Sequence, residues 1–313
     1  MTTTLPSRTL SSLSLRHTTV ASALFFLYLA PIPDASAIII RHDIDDNEYV
    51  VDDADYPGLV DLFEPGDCIG SVITEDMLLT VAHCAEDLRT SDSVTINGNV
   101  HSINTILLHP DWDGWNNDIA LIQLDTPVNG ITPYSIYTGS DELGQLISIV
   151  GRGVTATGLQ GERQAEVDGQ LRRATNIVSA ADSQWIEIHF EEPEDEDSTV
   201  LGGVGASGDS GCPVFLETAD GMMIVGLNSW GEGSGSVRIG QYGSWDYQTR
   251  VSQFTDWINQ EILLSGDDST SNADSPPSND SNKPSAGCSS SPLIEVHWLL
   301  PFVLMMSITR RFS

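Results

Sequence analysis

Three polar positions in this 313-residue chain have the types needed to make a nucleophile. The stretch "ASGDSGCPVF" sets Ser210 behind Asp209 in a glycine-flanked turn. "LLTVAHCAED" presents His83, and "WNNDIALIQL" puts Asp118 at the start of an apolar run. A serine hydroxyl attacks a carbonyl only when a neutral imidazole takes its proton, and that imidazole needs a carboxylate to fix its tautomer and stabilise the imidazolium. One residue of each type, in the order His, Asp, Ser, is what this chemistry requires. Singly, each has a plainer reading as a core histidine, a strand-start cap or a turn serine. Together, in these contexts, they point to hydrolysis. Cys212, two residues past Ser210, is no second nucleophile, because a catalytic thiolate would need its own base. It reads as a small apolar side chain entering a buried strand.

The elements that must position these groups are strands. From Ile38 to about Leu264 the chain runs through "CIGSVI", "MLLTVA", "SVTI", "IALIQL", "LISIVG", "WIEIHF" and "MMIVGLNSW", separated by Gly, Asp, Asn and Pro. Short strands at close spacing predict an all-β sandwich or barrel. Only 250–264 has helical spacing, with Val251, Phe254, Trp257, Ile258 and Ile262 on one stripe, and predicts a terminal helix packed on the barrel.

Both ends read as processing segments. Residues 1–37 carry Arg8 and Arg16, an apolar run and "ASA", the pattern of a signal peptide cut by signal peptidase after Ala37. Residues 265–291 form a Ser- and Asp-rich linker with no aromatic residue to bury. Residues 292–313 form an apolar tail, interrupted by Glu295 and His297, that ends on Arg310 and Arg311 and suits a membrane-facing anchor or sorting signal. Acidic residues outnumber basic ones 45 to 13, giving a net charge of −32, which excludes a nucleic-acid partner for want of a basic footprint.

"TVAHC", "NNDIALIQL", "GDSGCP" and "NSWG" resemble the signature blocks of the trypsin-like, chymotrypsin-fold serine proteases, in that family's order, and the likeness runs from Ile38 to Leu264. The resemblance implies two six-stranded antiparallel β-barrels with a C-terminal helix, an active-site cleft between them, no cofactor and no metal. It implies a monomeric endopeptidase acting on protein or peptide substrates through an acyl-enzyme. Ser210 would be nucleophile, His83 base and then acid, and Asp118 the group that orients His83. The amides of Gly208 and Ser210 would hold the oxyanion. Ser229, Trp230 and Gly231 would pair with the substrate backbone as an added strand. Cys68 and Cys84 would bridge the loop before the histidine, a closure of about 15 residues that the chain-entropy estimate values at roughly 3 kcal/mol.

The departures from the family pattern are informative. The acid that usually sits six positions before the nucleophile is replaced by Val204. Asp246 falls where the family usually has a glycine on the opposite wall, so a carboxylate there would direct cleavage after Arg or Lys; the rivals are a neutral pocket and a solvated turn for Asp246. The family's second pocket-edge disulfide is missing, since Ala206 stands where its first cysteine would be. The family pairs a new amino terminus with the aspartate before the nucleophile, here Asp209, and "IIIRHD" directly follows "ASA". Signal peptidase would then liberate that terminus itself. The acidic run Glu191–Asp197 reads as a solvated loop rather than a calcium site. The tail resembles the GlyGly-type sorting signals of exported bacterial proteases, cut by a rhomboid-like protease, with only Gly287 of the glycine pair present before Cys288.

Overall fold

The computed structural model describes residues 38–268 apart from 165 and 166. The expected signal peptide, most of the linker and the apolar tail lie outside the described residues. The described chain opens on β1 (Ile38–Ile40), whose three isoleucines are buried. Six strands follow that form the first barrel: β2 (Leu59–Asp61), β3 (Ile69–Val72), β4 (Met77–Thr80), β5 (Ser93–Ile96), β6 (Asn99–Leu108) and β7 (Ala120–Leu124). Their order is β2-β3-β4-β7-β6-β5, antiparallel throughout. Strands β3, β4 and β7 are almost wholly buried, which is why they read as continuous apolar runs rather than alternating ones.

The remaining strands are β8 (Ser135–Ile136), β9 (Leu146–Gly151), β10 (Thr155–Thr157), β11 (Arg172–Asp182), β12 (Trp185–His189), β13 (Gly203–Val204), β14 (Pro213–Thr218), β15 (Gly221–Glu232) and β16 (Trp245–Arg250). The second barrel runs β14-β9-β11-β12-β16-β15 and closes by pairing β14 with β15, leaving β8 as a short parallel addition. Closing the sheet on itself removes the free edge strands of an open sheet. Strand β1 lies in a separate three-stranded sheet, parallel to β10 and antiparallel to β13. The fold is thus the expected pair of six-stranded barrels.

The predicted C-terminal helix is divided. Val251–Gln253 form a 3-10 turn, and the α-helix runs Thr255–Asp268, so the helix takes the first residues assigned to the linker. Val251, Phe254 and Ile258 are buried and join a core cluster that also holds Leu79, Ile122 and Leu227 from both barrels. Burying such side chains is worth about 1.5–3 kcal/mol each. This anchors the helix without a strong helical sequence at its start.

Candidate functional site

Strand β4 ends at Thr80, and the chain turns into the short helix α1 (Ala82–Ala85), which carries His83. Cys84 on that helix is joined to Cys68, the residue before β3, with Cα atoms 6.0 Å apart, so the expected bridge is present. Those two sulfurs and the His83 ring lie close enough to suggest a metal site. The sulfurs are bonded to one another, however, and offer no thiolate.

Asp118 precedes β7, and only 3% of its side chain is exposed. Its Oδ1 accepts the His83 amide at 2.9 Å and its Oδ2 meets His83 Nδ1 at 2.8 Å. A carboxylate at Nδ1 assigns the proton to that nitrogen and leaves Nε2 as the acceptor. Ser229 donates a further hydrogen bond to Asp118 Oδ2 at 2.6 Å, and Thr249 donates to the Asp118 carbonyl at 2.8 Å. The second barrel thereby holds the acid of the first. Burial alone would lower the His83 pKa, but its hydrogen bond to Asp118 and the charges of Asp118, Glu86 and Asp87 outweigh this and raise it above the usual imidazole value.

Ser210 sits in the turn between β13 and β14, pinned against the first barrel by Cys68 N–H donating to the Gly208 carbonyl (3.2 Å) and Ile69 N–H donating to the Ser210 carbonyl (2.8 Å). Gly208 has φ +90°, and a Cβ there would run into the Gly66 carbonyl, so the turn requires glycine. Three carboxylates take the three successive amides before it. Asp246 accepts from Gly205 at 2.8 Å, Asp209 from Ala206 at 3.1 Å and Glu162 from Ser207 at 2.9 Å. The Asp209 amide donates to the Ala206 carbonyl at 2.9 Å. The amides of Gly208 and Ser210 find no acceptor among the described residues.

Asp209 is fully buried, and its Oδ1 accepts the Gly153 amide at 2.7 Å. Burial pushes its carboxyl up to about 7, opposed by hydrogen bonds from the amides of Gly153, Ala206 and Ile38. The first described residue of the chain therefore meets the carboxylate expected to clamp it. Ile38 has φ +65°, an unfavourable region for a β-branched side chain. Cys212 is buried and free, and its Sγ donates to the Val150 carbonyl at 3.0 Å, which fits a packing residue.

Beside Ser210 opens a cavity of about 270 Å³ whose lining includes Gly205, Asn228, Ser229, Trp230, Gly231 and Asp246. Asp246 is opposite Gly231 in the β15–β16 ladder and 3% exposed, which rules out a solvated turn. Burial raises its carboxyl to about 7 against the hydrogen bond from Gly205. Val204, expected at this pocket, lies instead in β13 opposite Ile39 and packs in the core of the second barrel. Gly205 and Ala206, which follow it, form that wall. Trp230 and Gly231 pair with β16 on one side, with Ser229 at a bulge in that ladder, while β14 follows β15 only as far as Leu227, so the other edge of this segment is open. The acidic run is an exposed loop in which Glu191 pairs with His189 at 2.6 Å.

Sequence reasoning missed several neighbours of this site. Trp230 stacks on Tyr247 with centroids 3.8 Å apart and meets Trp115 at 4.5 Å and Trp185 at 5.9 Å. Trp115 lies three residues before Asp118, a proximity that could have flagged it. Asn228 and Glu162 carry no comparable signal.

The profile of the family described as Trypsin matches residues 52–258. The chain therefore belongs to the trypsin family of serine proteases. It is 29% identical over 220 residues to Vitamin K-dependent protein C of Rattus norvegicus, covering 62% of this chain and 46% of that protein. It is 28% identical over 221 residues to Trypsin of Phaedon cochleariae, covering 63% of this chain and 79% of that protein. The chain thus matches about half the length of the first of these relatives.

Proposed function

We propose that the protein is an active serine endopeptidase that cleaves after Arg or Lys. Ser210 Oγ attacks the scissile carbonyl while His83 Nε2 takes its proton. His83 then protonates the leaving amine, and water, activated by the same base, hydrolyses the acyl-enzyme. Asp118 stabilises the imidazolium, and the amides of Gly208 and Ser210 receive the oxyanion. The reading rests above all on the pairing of Asp118 with both the ring and the amide of His83, together with a serine turn whose Gly208 and Ser210 amides have no acceptor among the described residues.

The specificity rests on Asp246. A buried carboxyl with a pKa near 7 becomes an anion when a guanidinium or ammonium enters beside it, because the paired charges offset one another's desolvation. An apolar side chain would leave that carboxyl unpaired. Export, release of Ile38 by signal peptidase to meet Asp209, and surface retention or sorting through residues 292–313 complete the proposal. They draw on the sequence of the two ends and on the burial of β1.

The test is a peptide-library cleavage profile of the wild type and Asp246→Ala, with fluorophosphonate labelling of Ser210 and mass-spectrometric identification of the mature start. The wild type should cleave after Arg and Lys, and Asp246→Ala should lose this by about a hundredfold or more, the scale set by an unpaired buried charge. Equal profiles would remove Asp246 from specificity. Failure to label would make the chain a silent homologue.

A further inference from the structure

Of the three carboxylates that take successive amides ahead of Gly208, two already have a place in the proposed mechanism. Glu162 does not. It stands in the Glu162–Gln164 turn just after β10, half-buried at the rim of the cavity beside Ser210. Its Oε1 accepts the Ser207 amide at 2.9 Å, and its Oε2 accepts the Ser207 hydroxyl at 3.3 Å. The Ser207 carbonyl in turn accepts the Val154 amide at 2.7 Å. In a trans peptide the N–H points opposite to the C=O. Fixing the Ser207 carbonyl therefore fixes the direction of the Gly208 amide in the same peptide unit. Glycine at position 208 offers little resistance to rotation of that unit, so the restraint must come from outside the turn.

We propose that Glu162 is a positioning residue: with the Val154 amide it brackets Ser207 and keeps the Gly208 amide aimed at the reacting carbonyl. Both halves of the bracket flank β10, and β10 is paired residue for residue with β1, Ile38 to Thr155 and Ile40 to Thr157. The Gly158 amide extends this pairing by donating to the Ile40 carbonyl at 2.9 Å, and the Glu162 amide donates to the Ile239 carbonyl at 3.2 Å. Seating of β1 is thus relayed to the Gly208 amide by a route separate from Asp209. The inference rests on the proposed peptidase reading.

The experiment measures kcat and KM on a peptide amide, and inhibition by the corresponding peptide aldehyde, for the wild type, Glu162→Ala, Glu162→Asp and Glu162→Gln. Losing one oxyanion donor outright typically costs about 10²- to 10³-fold, so loosening one should lower kcat about tenfold in Glu162→Ala, with KM within about twofold. Aldehyde binding should weaken in parallel with kcat. Glu162→Gln retains an acceptor for the Ser207 amide and should recover to within about threefold of wild type. Glu162→Asp, one methylene short, should fall between, and it carries the test if the alanine variant does not fold. Full kcat in the alanine or aspartate variant, a loss confined to KM, or a glutamine variant as impaired as alanine would overturn the proposal. A wild type that cleaves nothing would overturn the peptidase reading together with it, whereas an active wild type with unaffected variants would overturn this inference alone.

Discussion

The two barrels solve different problems with the same strand count. In the first, the buried polar side chains are few: Ser71, Thr80, His101 and Asp118. Its interior is built from Leu78, Leu79, Ile119, Leu121 and Ile122, tied by the Cys68–Cys84 bridge. The half built on the second barrel buries Arg172, Asn176, Asp209, Asn228, Asp246, Gln248 and the Glu142–Arg250 pair. The first barrel offers one oriented imidazole, His83, on an apolar frame. The second holds charges and dipoles where water is scarce, which strengthens them and makes any unpaired one costly. On the proposed peptidase reading, recognition and transition-state stabilisation need such preorganised groups, which accounts for the polar load on the second half.

Breaking the Glu142–Arg250 pair should be the harshest test of this contrast. Glu142 accepts from Arg250 at 2.7 and 2.9 Å and from Ser252 at 2.7 Å, and it is fully buried. Glu142→Ala strands the guanidinium and should cost about 3–5 kcal/mol in urea unfolding, measured in the Ser210→Ala background so that the proposed peptidase activity cannot act on the unfolded chain. Replacing Cys68 and Cys84 together with serine should cost about 3 kcal/mol. A double-serine variant as stable as the parent would show that the apolar frame needs no cross-link.

A pH series sharpens the comparison at a smaller scale. The Asp246 carboxyl is raised in the folded chain to about 7, well above its unfolded value, so its contribution to stability is complete at low pH and is lost as pH rises towards 7. Between pH 5 and 8 this amounts to about 2–3 kcal/mol of lost stability. Asp246→Asn should remove that share of the fall; an unchanged slope would mean that the carboxyl titrates normally.

The sequence was most informative where local chemistry and local pattern coincide. His83, Asp118 and Ser210 each sit in short segments whose strand or turn character is visible, and "IALIQL" and "MLLTVA" became β7 and β4. Less was visible where position depends on distant pairing. Val204 was expected at the pocket, but its pairing with Ile39 in a three-stranded sheet turns it into the core. Strand β11, "RRATNIVSAAD", lacks an apolar run because its buried positions alternate with less buried ones and are filled by Arg172, Ala174, Asn176 and Val178, only one of them a large apolar residue. The bracketing of Ser207 by Glu162 spans 45 residues and leaves no pattern in either segment. The terminal helix was legible in type but not in bounds, since the 3-10 turn at Val251–Gln253 carries the same apolar spacing as a helix.

The torsion at Ile38 has a consequence for how the chain start behaves. The φ angle of a residue exists only while a carbonyl precedes it. With residue 37 attached, the seated Ile38 bears a left-handed φ that costs on the order of 1–3 kcal/mol for a β-branched side chain. In the proposed maturation, a cut before Ile38 would abolish the torsion and its cost and add an amine charge facing Asp209. The intact chain already holds β1 buried, so the cut would deepen an existing seat by relieving one backbone angle rather than by moving the strand.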